Sequence, residues 1–271
     1  MKLNLRKLTA SFSLAASTLL FVVAAKAADT TKLTIGATTG DFADMVKESL
    51  KPILEKKGYT VKLVEFSDYV TPNLALSDGQ LDVNIFQHKP YLEQFAKEKN
   101  LKLSPIAQVP TGPLGLYAGK LKTLGAVKNE STVAIPNDAT NLSRALTLLS
   151  DLGWIEVAKN ANPLLVGVKD ISKNPKNLKI KLLEAAQLPR VLADVDYAVI
   201  NGNYATSSGI ALDSALSQEK SELYVNWAVT TEKNANSKFA QDLVAAINSD
   251  EFKKYAKAKF KGYKYPSAWK K

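Results

Sequence analysis

A single imidazole limits what acid–base chemistry this chain can do. His88 is its only histidine and cysteine is absent, so a base working near neutral pH would have to be this one side chain. It stands in the run Asp82-Val-Asn-Ile-Phe-Gln-His-Lys-Pro-Tyr-Leu92. A Ser–His–Asp site would need a serine at an exposed elbow, and no Gly-x-Ser-x-Gly motif accompanies the histidine. Asp82 belongs to the same strand, whose length carries it away from the ring. One histidine without cysteine would leave zinc a mostly carboxylate shell, which is atypical. Neither a P-loop nor a Gly-x-Gly-x-x-Gly turn is present. The expectation is a binding protein with no metal and no cofactor, not an enzyme.

Binding chemistry is better represented. In Pro136-Asn-Asp-Ala-Thr-Asn-Leu-Ser-Arg144 a short strand gives way to a helix whose first exposed N–H groups the Asn and Thr side chains can cap. Arg144 would follow within that helix. A guanidinium there can grip a carboxylate with two parallel hydrogen bonds, near the positive end of the helix dipole. The ordinary alternative is a surface or inter-helix ion pair, the fate of most arginines. Two further strand ends carry neutral amides, Asn201 before Tyr204 and Asn226 after Tyr224. Turn formation would explain each alone. Together with Arg144 they suit a zwitterionic amino acid, which needs a cation for its carboxylate and amide oxygens for its ammonium. Tyr69, Phe86, His88 and Tyr91 could box its side chain. A thioether would fit such rings, each sulfur–aromatic contact contributing roughly 0.3–1.5 kcal/mol.

The elements that must position these groups alternate. Lys32–Thr38, Thr60–Glu65 and Asp82–Phe86 read as strands, separated by helical patterns over Phe42–Lys57 and Pro72–Ser77 and followed by one over Pro90–Lys99. Pro52 is expected to kink or split the first helix. The run Gln108-Val-Pro-Thr-Gly-Pro113 interrupts the pattern between strands Leu103–Gln108 and Leu114–Ala118. A second α/β series follows: strand Thr132–Ile135, helix Asn141–Leu152, strand Lys179–Leu183, helix Leu188–Asp194 and strand Tyr197–Ile200. Glu222–Thr230 reads as a further strand, and Ser237–Phe260 as one or two helices. The order implies mixed, mostly parallel sheets covered by helices. The two series are either tandem domains or two lobes, with crossings near Val109–Gly112 and Tyr224–Trp227 and a cleft between.

Lys2, Arg6 and Lys7, the apolar stretch Leu14–Ala25 and the small-x-small triplet Ala25-Lys26-Ala27 read as a secretory signal cleaved after Ala27. Three serines and Lys26 argue against a membrane span, which needs about 20 apolar residues. Removing residues 1–27 takes the formal charge from +10 to +6. The remainder suffices for one large domain or two of about 120 residues. The basic excess is mostly lysine on helix faces and in a C-terminal cluster, expected to be solvated rather than to bind nucleic acid. Without cysteine the exported chain must stand on packing alone. It also lacks the residue that carries a lipoprotein's acyl chains, so a free periplasmic protein is expected.

Seven segments stand in order along the chain: Asp68-Tyr-Val-x-Pro-Asn73, Phe86-Gln-His-Lys-Pro-Tyr-Leu92, Pro136-Asn-Asp-x-Thr-Asn-x-x-Arg144, Asn174-Pro-Lys-Asn-Leu178, Leu188-Pro-Arg190, Ala198-Val-Ile-Asn201 and Tyr224-Val-Asn226. With them the chain resembles the NlpA family of methionine-binding receptors that serve ABC importers, over nearly its whole mature length. The resemblance implies a two-lobed periplasmic-binding-protein-like fold of type II, with lobe one at 28–110 and 226–271 and lobe two at 111–225. It implies a monomer that closes on methionine and delivers it to a membrane permease. By the same resemblance, Tyr69, Phe86, His88 and Tyr91 form an aromatic pocket, Arg144 with Asn141 holds the carboxylate, and Asn201 and Asn226 contact the ammonium or backbone. Tyr204 is a further carried-over contact. Three departures stand out. Relatives are commonly anchored through an N-terminal Cys; Gly112 replaces a larger side chain, which would widen the pocket; and Asp41 places an acid near the cleft mouth. The alternatives are another amino acid, a methionine derivative or small peptide as ligand, or an exported interaction protein or adhesin.

Overall fold

The computed structural model describes residues 31–270; the signal segment and its cleavage site lie outside them. In the first half run β1 (Thr31–Thr38), β2 (Tyr59–Phe66), β3 (Val83–His88) and β4 (Leu103–Gln108). Next come β5 (Gly115–Ala118), β6 (Thr132–Pro136), the short hairpin β7 (Glu156–Val157) and β8 (Ile171–Lys173), β9 (Lys179–Leu183), β10 (Tyr197–Ile200) and β11 (Ser217–Gln218). The chain then returns as β12 (Asn226–Thr231). Two five-stranded sheets result, ordered β2-β1-β3-β12-β4 and β11-β5-β10-β6-β9. β12 lies antiparallel between β3 and β4 of the first sheet, although the whole second sheet separates it from them in sequence. The architecture is therefore two α/β lobes, with two chain crossings between them. Hydrophobic burial, worth roughly 25 cal/mol per Å², is organised lobe by lobe. One core packs Ile35, Met45, Leu54 and Ile85 against Leu243 and Phe252, and another packs Ile135, Leu146 and Leu149 against Val199.

Helix α1 (Asp41–Met45) continues through a π-helical stretch, Val46–Leu50, into α2 (Lys51–Glu55). Pro52 does split the pattern, but as a local change of helix type. Its ring excludes an ordinary bond to residue 48, and the wider turn absorbs the misfit without ending the helix. Helix α3 (Thr71–Ser77) and helix α4 (Lys89–Lys99) carry Pro at their starts, where the missing N–H costs nothing. Helix α5 (Ala139–Asp151) opens on Asp138, whose carboxylate accepts from the Asn141 N–H. The expected Asn or Thr cap is thus corrected: the acid caps, which leaves the Asn141 side chain for other use. Helix α6 (Gly202–Ser207) was not anticipated. Helices α7 (Lys238–Ile247) and α8 (Asp250–Lys259) each begin at a capping serine, Ser237 and Ser249.

Two further expectations fail. The helix read over Leu188–Asp194 is a 3-10 segment, Ala185–Val191, because Pro189 within it cannot supply an α-helical donor. The strand read from Glu222 starts only at Asn226; Glu222–Tyr224 forms a 3-10 turn capped by the Ser221 hydroxyl. That turn is the second crossing, and it moves Tyr224 off the sheet.

The crossings are tied together. The Asn226 N–H donates to Thr111 Oγ1, and the Val109 N–H to the Asn226 carbonyl. The segment after α8 joins them through paired backbone bonds between Thr111 and Lys264, both 2.9 Å. Gly112 meets Gly202 back to back: a Cβ on Gly202 would lie 2.5 Å from Gly112 backbone. The small residue at 112 therefore serves close approach of the first crossing to α6.

Candidate functional site

Between the lobes lies a narrow cavity. Tyr69, Phe86, His88, Tyr91, Asn141, Arg144, Asn201 and Asn226 all line it. Eight of the nine residues singled out in the sequence thus converge, from stretches far apart in the chain. Tyr204 does not line it. Its ring lies behind Tyr69, centroids 4.9 Å apart, and its hydroxyl donates to the Ser67 carbonyl across the lobes.

One end of the cavity is aromatic and built by lobe one. Phe86 stacks on Tyr69 at 5.9 Å and meets Tyr91 edge-on at 6.0 Å. Such ring pairs contribute about 0.5–1.5 kcal/mol beyond their burial. The Tyr91 hydroxyl donates to the Tyr69 carbonyl, and the Tyr69 hydroxyl to Asn203 Oδ1 of lobe two at 2.7 Å. Gln87 also lines the cavity and shares a buried amide network with Asn73 and Asn84, including Gln87 Nε2 to Asn73 Oδ1 at 2.6 Å.

The other end is polar and belongs mostly to lobe two. Asn141 is its hub. Its Nδ2 donates to both Asp138 carboxylate oxygens, which turns Oδ1 into the cavity. That oxygen accepts from Arg144 Nη1 at 2.6 Å and from Asn201 Nδ2 at 3.0 Å, and meets His88 Nε2 at 3.2 Å. An amide oxygen only accepts, so His88 carries its proton on Nε2. Its Nδ1 accepts the Tyr91 N–H, capping α4. Burial, reinforced by the nearby Arg144 charge and opposed by the bond to Asn141, holds the His88 pKa well below its usual value. The imidazole is neutral with both nitrogens engaged, which leaves it no lone pair for a substrate proton. Among the described residues no group of three or more His, Cys, Asp or Glu could hold a metal ion.

Arg144 is not a surface group: it is 5% exposed. Its Nε and Nη2 donate to the two oxygens of Glu219 at 3.0 and 2.5 Å, and its guanidinium carbon lies 4.4 Å over the Tyr224 ring. Burial pushes the Glu219 pKa up, but pairing with Arg144 outweighs it and holds the carboxyl below its ordinary range. Sequence reasoning missed Glu219, Gln87, Thr111, Gly202 and Asn203; Glu219 sits in a charged, loop-like stretch that carried no signal. Two buried side-chain atoms on the cavity wall have no hydrogen-bond partner among the described residues, Asn201 Oδ1 and Asn203 Nδ2. Leaving a buried polar atom unpaired costs about 1–3 kcal/mol, so the pair marks where a polar guest would be received. Asn226 faces the same space, its Nδ2 held by the Phe86 carbonyl at 2.7 Å.

Asp41 does not reach this cavity, contrary to the expectation of an acid at the cleft mouth. It is buried, accepting from Thr206 of lobe two at 2.7 Å and from the Tyr263 hydroxyl. Burial raises its pKa, against the effect of those two bonds. The contact joins the lobes away from the cavity.

A model of the NlpA lipoprotein family matches residues 33–268. The chain is similar to the D-methionine-binding lipoprotein MetQ of Escherichia coli (strain K12), 41% identical over 238 residues that cover 86% of this chain and 88% of the relative. It is also similar to the probable D-methionine-binding lipoprotein MetQ of Vibrio cholerae, 38% identical over 264 residues, 97% of this chain and 98% of the other. Among solved structures, a nutrient binding protein from Burkholderia cenocepacia bound to methionine superposes with a TM-score of 0.82 at 37% identity, covering 87% of this chain and 99% of that one. No helix among the described residues is long and apolar enough to cross a membrane.

Proposed function

We infer the function from one premise: the chain belongs to the NlpA lipoprotein family. It is a substrate-binding protein that captures methionine and delivers it to a membrane ABC importer. The observation that carries this reading is the two-ended cavity, with rings at one end and, at the other, a buried guanidinium near the unpaired Asn201 Oδ1. We assign the remaining Arg144 N–H groups to the ligand carboxylate, supported by Asn141. The ammonium falls to Asn201 Oδ1, with Asn226 adjacent. Tyr69, Phe86, His88 and Tyr91 enclose the thioether, and Tyr204 supports Tyr69 from outside. Each lobe supplies part of this set, so a bound ligand favours the closed arrangement through contacts the open one lacks.

The proposal extends to the chain's organisation. Residues 28–110 and 226–271 form lobe one and 111–225 lobe two; the return of β12 to the first sheet supports that division. The protein is exported, cleaved after Ala27, and acts in the periplasm as a monomer without an acyl anchor. The mass of the mature protein from native cells tests the cleavage and the anchor together.

Calorimetry with methionine against the stripped protein is the deciding measurement, joined by mass spectrometry of whatever is released on denaturing natively purified material. Saturable one-to-one binding is expected; no heat with methionine sinks the assignment. A methionine derivative is the second reading, favoured by one observation. Asn203 Nδ2 is an unpaired donor whose partner atom Oδ1 holds Tyr69 of the aromatic end, where a side-chain oxygen such as that of methionine sulfoxide would find it. Competition calorimetry separates the two.

A further inference from the structure

Arg144 does not stand alone at the polar end, and the carboxylate that holds it is not part of the cavity wall. A guanidinium has five N–H groups. Two are taken by Glu219 and one by Asn141, while the Tyr224 ring covers one face. One N–H remains on each terminal nitrogen, which is what a carboxylate accepting from both would need. Edge, tip and face of the group are therefore all fixed before any guest arrives.

Glu219 is itself anchored at the joint between the lobes. Its Oε1 accepts the Leu114 N–H at 3.1 Å and lies 3.7 Å from Lys264 Nζ. Leu114 follows the first crossing, Glu219 precedes the second, and Lys264 belongs to the segment whose backbone pairs with Thr111. Three passes of the chain thus meet on one carboxylate, with side chains of Arg144 and Glu219 only 4% and 8% exposed. A buried ion pair is weak evidence for stability, since apolar replacements are often neutral or better. A role in presenting the cation accounts for its placement beside the cavity.

We propose that Glu219 is a positioning residue for ligand recognition: it fixes which edge of Arg144 faces the carboxylate and ties that edge to the hinge. The proposal rests on the methionine-binding reading above and deepens it. Glu219 touches no ligand. Its effect runs through Arg144, so it governs discrimination between a carboxylate and a neutral group at that position more than affinity for the side chain.

The test compares calorimetric affinities for methionine and methionine amide, in which a carboxamide replaces the carboxylate, across the wild type, Glu219→Gln, Arg144→Met and the double variant. The wild type is expected to prefer methionine strongly. In Glu219→Gln the methionine-to-amide ratio should fall about tenfold, and the double variant should match Arg144→Met. A fall of threefold or more in Glu219→Gln, with the double variant no lower than Arg144→Met, supports the role. A smaller change, a rise, or equal loss of both ligands overturns it. If Glu219→Gln does not fold, Glu219→Asp, one methylene short, carries the same readout and the same threshold. Failure of the wild type to bind methionine would instead remove the functional reading, and this inference with it.

Discussion

The two ends of the cavity are built on different principles. The aromatic end comes from one stretch, Tyr69 to Tyr91, carried by neighbouring elements of a single lobe. Its rings pack against one another without strict direction, and its hydroxyls are already satisfied. The polar end draws on α5, the start of α6, the second crossing and the edge of β12, and it works by direction. Asn141 Oδ1 gathers three neighbours, Arg144 is held on three sides, and Asn201 Oδ1 stays unpaired. The first end tolerates shape and supplies apolar contact. The second specifies charge, and it is complete only when the lobes are together.

That contrast can be broken most sharply at Arg144. Arg144→Ala should weaken methionine binding at least a hundredfold by calorimetry. It should also lower stability by about 3–5 kcal/mol, because it strands the buried Glu219 carboxylate; a full-strength isotherm would show that the polar end does not hold the ligand. At the other end, Phe86→Ala removes the ring between Tyr69 and Tyr91 and should cost about 3 kcal/mol in denaturant unfolding. Carboxylate-over-amide preference should survive, weaker binding of both ligands notwithstanding. A changed preference would mean that the two ends are not separable.

His88 lies where the ends meet, between the Tyr91 and Tyr224 rings and bonded to Asn141. Its folded pKa lies well below 6.5, so below that pH the unfolded chain takes up a proton that the folded one refuses. Stability should then fall with acidification from pH 6.5 downward, by up to about 1.4 kcal/mol per pH unit from this group. His88→Gln should flatten that part of the profile in thermal melts; an unchanged slope would show the imidazole is not kept neutral. The smallest effect is expected for Tyr69→Phe, which deletes only the hydroxyl bonded to Asn203 across the lobes. A fivefold weaker methionine affinity, about 1 kcal/mol, with stability little changed, would mark that bond as a closure contact. Equal loss in stability would mark it as packing alone.

Legibility in the sequence followed the same divide. The Phe86-Gln-His-Lys-Pro-Tyr-Leu92 run is local, with strand, cap and Pro-started helix adjacent, so its placement could be reasoned from neighbours. Arg144 and Asn141 were visible as a helix-opening motif, but the capping acid Asp138 was passed over. Glu219 lies 75 residues from the arginine it holds, among polar residues that read as an ordinary exposed loop. Helix α6 is too short and too mixed in character to show a period, yet it supplies Asn203 and Thr206 to the lobe contacts.

Alternating apolar periods, turn residues and prolines were enough to place the longer strands, most of the helices and the break between the two α/β series, because those depend on interactions a few residues long; the short β7, β8 and β11 and the start of β12 escaped them. Which amide atoms stay unpaired, which edge of a guanidinium remains open and which carboxylate sits beneath it were decided only by the tertiary structure. Those properties arise where β12 re-enters the first sheet and three distant passes of chain are brought within hydrogen-bonding distance, and no local pattern encodes that meeting.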